Sequence, residues 1–115
     1  MKPHIHAKNT AKRHGGKPED YQTIHDWFDQ TKKCLPDMRH RMVLHNAFGV
    51  YLVEQVFGIT ITNSDGNIVS VREIGEQHVI DDLGHIPTLE KCFKSMEFSP
   101  WMGGQLKKTS FEIID

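Results

Sequence analysis

Hydrophobic and polar positions divide this chain into helices around one short break to β period. The longest stretch, Pro36 to Gly58, reads as a single helix. Pro36 and Asp37 suit a helix start and Gly58 suits a C-cap. From Met42 onward it is apolar on nearly every side, the mark of a buried helix, with His45, Asn46, Glu54 and Gln55 as polar interruptions that need partners. Lys17 to Cys34 predicts a second helix, opened by Pro18, Glu19 and Asp20. Its inward face carries Tyr21, Ile24, His25, Phe28, Thr31 and Leu35. The short turn at Cys34-Leu35-Pro36 makes these two helices antiparallel neighbours. Tyr21, Ile24, Phe28, Phe48, Leu52 and Val56 are then expected to share one core.

The period changes at Ile59. Ile59, Ile61, Ile68, Val69 and Val71 flank Asn63-Ser64-Asp65-Gly66-Asn67, which predicts a β-hairpin with its tip at Asp65-Gly66. A short helix follows over Gly75–Gly84, and another after Ile86-Pro87-Thr88. Before all of these lies a basic arm, residues 1–17, with Lys2, Lys8, Lys12, Arg13 and Lys17 and no acid before Glu19. Pro3 can open a helix there and Gly15-Gly16 can end it. It reads as a solvated terminal helix or as a contact for anions or nucleic acid. The expected organisation is a basic arm over 1–17, one α+β domain over 18–97, and a tail over 98–115. The domain has an antiparallel helical hairpin core covered by a β-hairpin and two short helices.

Length and charge narrow this further. At 115 residues the chain makes one domain. A net charge of -1 argues against a uniformly basic nucleic-acid coat. There is no apolar leader and no span near the ~20 residues of a membrane crossing, so the expectation is a cytoplasmic protein with no membrane partner. Cys34 and Cys92 form no CxxC and read as reduced thiols. In the tail, Phe98, Pro100, Trp101 and Met102 form an apolar cluster. It suits either a homodimer contact or folding back onto the hairpin, and residues 110–115 read as a strand or a flexible arm.

Three segments, IHDWFDQTK, RHRMVLHNAFG and TITNSDG…VREIGEQHVIDDLGHIPT, resemble a family of small uncharacterised proteins of bacteria and their phages. The likeness runs from about Gly15 to Thr88 and is carried most by GEQHV, DLG and IPT. It implies a bacterial or phage cytoplasmic origin and no particular activity.

The chemistry lies in the eight histidines. His40 and His45 are about 140° apart around a helix and cannot share an ion. Equal steps back and forward from the Leu35 turn, however, set His25 opposite His45. Gly49, one turn on, admits a close neighbour. His78 and Asp82, i and i+4 on the short helix, complete a candidate metal site of His25, His45, His78 and Asp82, with Asp81 as a further carboxylate. Imidazoles with a carboxylate suit zinc, iron, nickel or manganese without choosing among them. The same four residues also suit a metal-free polar network. Arg39, His40 and Arg41 form a candidate anion-binding group at the start of the central helix. Two functions follow. One is a metal-binding protein, extending to a metal-dependent hydrolase of a phosphorylated or nucleotide substrate. The other is a non-enzymatic phage accessory protein that binds a host protein or nucleic acid. No HExxH, serine elbow or paired cysteine base supports other chemistry.

Overall fold

The computed structural model describes residues 1–94 and 96–103. In chain order it has α1 (Pro3–His14), α2 (Glu19–Asp29), 3-10 turns at Gln30–Lys33 and Met38–His40, α3 (Arg41–Leu44), α4 (Ala47–Phe57), β1 (Thr60–Thr62), β2 (Ile68–Ser70), α5 (Val71–Leu83), α6 (Leu89–Phe93) and a last 3-10 turn at Pro100–Gly103. The fold is α+β: helices α1, α2, α4 and α5 pack together, and the two strands form one antiparallel ladder. Among the described residues no helix is long and apolar enough to cross a membrane.

The hairpin forms where its turn chemistry predicts, pairing Thr60 with Ser70, Ile61 with Val69 and Thr62 with Ile68. Gly66 takes φ 83° in the tip. Asn63 Oδ1 accepts from the N–H groups of Asp65 and Asn67, while its Nδ2 donates to His14 O and Tyr21 Oη. The tip is thereby tied to the α1–α2 junction. α5 starts earlier than expected, at Val71, because Ser70 Oγ accepts from the Glu73 N–H and caps it. Gly75 is therefore inside the helix. An added Cβ would lie 3.1 Å from both Phe28 and Val53, so glycine lets α5 approach α2 and α4.

The continuous Pro36–Gly58 helix is not formed. It breaks at Asn46, whose backbone is extended (φ -157°, ψ 177°). The Asn46 side chain serves both ends: Oδ1 accepts from the Gly49 N–H at 2.9 Å, and Nδ2 donates to Met42 O at 2.9 Å and Val43 O at 3.2 Å. Ala47 N–H leaves the helix pattern and donates to Pro87 O. Gly49 does admit a close neighbour, and that neighbour is the Leu44 carbonyl, 1.8 Å from where a Cβ would stand.

The break also changes the core. Tyr21, Ile24 and Phe28 are buried as expected, with Leu44, Val50, Val53, Val69, Val71, Ile74 and Val79. Phe48 is 44% exposed and Val56 57%, and Leu52 is half-buried, so the expected stripe of α4 faces outward. Nor is α1 a solvated helix throughout, since His6, Ala7 and Thr10 are buried. In the tail Trp101 is exposed, and the strand or arm expected over 110–115 lies outside the described residues.

Urea denaturation checks this arrangement. Ile74→Ala should cost about 2–5 kcal/mol, and Gly49→Ala about 3 kcal/mol because the added methyl must displace backbone. Val56→Ala should stay within about 0.5 kcal/mol. Similar losses at Ile74 and Val56 would contradict the observed core.

Candidate metal centre

Four helical segments bring their histidines to one buried place. α2 supplies His25 and Asp29, i and i+4 on one face; α5 supplies His78 and Asp82 with the same spacing. The helix break places His45 at the C-terminal end of α3 (φ -82°, ψ 61°). α1 adds His6 and Thr10. His6, His25, His45 and His78 are fully buried, and His40 nearly so.

Asp29, His45, His78 and Asp82 each offer one ligand atom, all within 4.8 Å of one another. His45 Nε2 lies 2.9 Å from Asp82 Oδ2 and 3.5 Å from Asp29 Oδ1. His78 Nε2 lies 3.5 Å from Asp82 Oδ2, 3.6 Å from Asp29 Oδ1 and 3.1 Å from His45 Nε2. A tetrahedron with metal–ligand bonds of about 2.0–2.1 Å has edges of about 3.3–3.4 Å. The observed separations straddle that value, so these four side chains can hold one small divalent ion with little movement.

Proton accounting supports the same set. Gln77 Nε2 donates to Asp81 Oδ2 at 2.8 Å, so Gln77 Oε1 faces Thr10 and accepts its hydroxyl proton at 2.6 Å. The other nearby group, His6 O at 3.0 Å, is also an acceptor. Thr10 Oγ1 therefore has no proton for His25 Nε2, 2.8 Å away, and the imidazole must donate to it. Neutral His25 then carries its lone pair on Nδ1, where it accepts from His78 Nδ1–H at 2.9 Å. That leaves the His78 Nε2 lone pair aimed at Asp29, His45 and Asp82. Fixing a ligand tautomer through the far ring nitrogen is the usual second-layer arrangement at a metal. His6, His25 and His78 also form a group within 4.8 Å, but the His25–His78 hydrogen bond occupies its nitrogens.

Electrostatics point the same way. Burial raises the Asp82 pKa, but hydrogen bonds from His45 and His6 outweigh it and hold the carboxyl well below its ordinary range. Burial likewise opposes ionisation of Asp29, and the attraction of His78 and Lys32 more than offsets it. Burial is the main cause that pushes His25 down to about 2, with His78 and His6 adding to it. His78 is pushed down to about 4, chiefly by burial, with Asp29 pulling partly back. The centre thus pairs two ionised carboxylates with neutral His25 and His78, and a divalent cation would balance the carboxylates. One group opposes coordination. His45 Nδ1 is buried without a hydrogen-bond partner, so a metal-bound His45 would carry its proton there at a cost of about 1–3 kcal/mol.

Of the residues expected from sequence, His45, His78 and Asp82 meet directly, and His25 stands one ring behind them against His78. Asp29 and His6 were not expected. The signal for Asp29 is the His-x-x-x-Asp spacing that α2 shares with α5. Asp81 lies outside the four and accepts from Gln77. Of the three residues expected to bind an anion, His40 and Arg41 line one cavity beside the centre, and Arg39 is not among its lining residues. Arg39 pairs with Asp37 on the surface. His40 Nδ1–H donates to Asp37 O, and its Nε2 lies 3.4 Å from Asp29 Oδ1. Arg41 reaches within 3.7 Å of Asp82 Oδ1, which also receives the Met1 amino group at 2.8 Å.

Fold and site together define a small α+β domain with a buried histidine–aspartate centre. The chain belongs to the family described as Domain of unknown function (DUF6915), whose model matches residues 1–102. No curated protein and no solved structure matched it.

Two outcomes follow for the metal-free protein. His25 and His78 titrate near 6.5 when unfolded and far lower when folded, so acid protonates the unfolded chain first. Stability is full above pH 6.5 and falls toward about pH 4, at about 1.4 kcal/mol per pH unit for each histidine. Below the folded pKa of His78 that residue's share ends, and the depressed carboxyls of Asp29 and Asp82 begin to add their own loss. Melts from pH 8 to pH 4 test this, and a flat profile between 6.5 and 5 would refute it. Separately, Thr10→Val removes the acceptor of His25 Nε2–H. Nitrogen NMR should show His78 as the Nδ1–H tautomer in the parent, and the variant should lose about 10–100-fold in metal affinity.

Proposed function

We propose that this chain binds one divalent transition metal through Asp29, His45, His78 and Asp82 and uses it for hydrolysis. The observation that carries the reading is the convergence of four donor atoms within 4.8 Å of one another, with both imidazoles at 2.9–3.6 Å from each other and from each carboxylate. Two imidazoles and two carboxylates suit zinc, iron, nickel or manganese. A bound ion with a free position would lower the pKa of water and supply a hydroxide nucleophile. The protein's own contribution is to hold the ligands in place and keep the His25 side dry. Four protein ligands complete a tetrahedron, so the free position is a fifth one, on the side of the cavity that the buried Asp29 and His40 line. From the signature resemblance we place the activity in a bacterial or phage-infected cytoplasm.

Metal content by mass spectrometry on untagged protein tests the reading. The parent and His14→Ala should carry about one ion per chain, whereas His45→Ala and Asp82→Asn should carry none. Metal at 100 times its Kd should add about 2.7 kcal/mol of stability. A parent that stays empty after exposure to zinc, manganese, nickel and ferrous iron would leave the metal-free polar network as the account of these residues.

A further inference from the structure

A cavity of about 360 Å³ opens beside the centre between α2, the Gln30–Lys33 turn and the segment from Pro36 to Arg41. Its chemistry comes from Lys2, Asp29, Lys32, Asp37, His40 and Arg41. Asp37 is neutralised by Arg39, whose Nε and NH2 groups bind both of its carboxylate oxygens at 2.8–3.0 Å. Against Lys2, Lys32 and Arg41 the cavity therefore sets only Asp29, and that carboxylate is shared with the buried centre. Two buried nitrogens at this wall have no hydrogen-bond partner: His40 Nε2 and Arg41 Nε. The His40 ring donates Nδ1–H to the Asp37 carbonyl at 2.8 Å, which in the neutral ring leaves the lone pair on Nε2, 3.4 Å from Asp29 Oδ1. The wall thus sets three cations beside a candidate metal ligand, Lys2 with no carboxylate paired to it among the described residues, Lys32 at 4.0 Å from Asp29 and Arg41 at 3.7 Å from Asp82.

We infer that this cavity binds the phosphate group of a small phosphomonoester. A phosphate dianion complements the excess positive charge, and arginine and lysine are its ordinary partners. Inorganic phosphate as HPO4²⁻, and the monoanion of a phosphomonoester, each carry one P–OH, whose proton His40 Nε2 can accept. The volume is at the low end of the roughly 300–1,000 Å³ typical of small-molecule sites, so a monomeric ester fits better than a polymer. Where the metal reading holds, the phosphate sits against the ion's open side; the inference rests on that reading for the reaction but not for the binding.

The test titrates inorganic phosphate calorimetrically at low ionic strength, with metal content measured on the same samples. One phosphate should bind per chain. Lys2→Gln/Lys32→Gln should weaken it at least tenfold with metal content unchanged. Lys8→Gln/Lys12→Gln removes the same charge from the exposed side of α1 and should leave binding as it was. Equal affinity in the parent and in the Lys2/Lys32 variant overturns the inference, and so does equal weakening by the control pair. A chain without metal overturns the metal reading alone. Phosphate binding to that chain, still lost in the Lys2/Lys32 variant, upholds the cavity, and no binding at all overturns it.

Discussion

The hydrogen bond from His78 Nδ1 to His25 Nδ1 is the contact on which the rest of the centre depends. A neutral imidazole has one proton, so donating it on one side commits a lone pair to the other. That choice is made from a distance. Asp81 orients the Gln77 amide, Gln77 takes the Thr10 proton, and Thr10 takes the proton of His25 Nε2. Thr10 and the His6 carbonyl both come from α1. Docking of the first helix and selection of the tautomer at the centre are therefore one event, since without α1 the chain of donors would end in water.

Phe28 marks where the apolar core stops and this polar layer begins. Its ring stacks on His78 at 4.8 Å on one side and lies under Gly75 nearby. On the polar side, neutral imidazoles are tolerable inside a protein because each has hydrogen bonds to make. Two ionised carboxylates are not tolerable on those terms. Asp82 meets the Met1 amino group and Arg41, and Asp29 meets Lys32 at 4.0 Å, but these cations stand at the rim. Among the described residues, the nitrogens within 3.6 Å of both carboxylates are Nε2 of His45 and of His78. That is the physical gap a divalent ion would close.

Much of this was legible in the sequence. The hairpin was, because Asn63–Asn67 is turn chemistry that no helix accommodates. The meeting of His45, His78 and Asp82 was legible in part: His78 and Asp82 share a helix face at i and i+4, whereas the turn after α2 predicts His45 against His25, which stands one ring behind. Asp29 was hidden by attention to adjacent letters: His25-Asp26 is a doublet that points two ways, whereas His25 and Asp29 share a face. His6 was hidden by its surroundings. Five basic residues across the arm over 1–17 make α1 read as solvated, and Ala7 and Thr10 beside His6 show the narrow inward stripe. The start of α5 was obscured because Val71 continues the hydrophobic alternation of the strand, and only the Ser70 cap ends it.

The break at Asn46 was the least legible feature and has the largest effect. On an unbroken helix, Phe48, Leu52 and Val56 stand within about 60° of His45, so turning His45 inward would carry all three into the core. Val50 and Val53 would then be about 140° and 80° away. One extended residue uncouples the two requirements. His45 ends α3 facing the centre, while α4 restarts with Val50 and Val53 inward and Phe48 and Val56 outward. Asparagine suits that position because its amide can cap both helices at once, and glycine at 49 leaves room for the Leu44 carbonyl. A pattern of apolar residues records which positions dislike water, but it does not record a change of direction that lasts two residues.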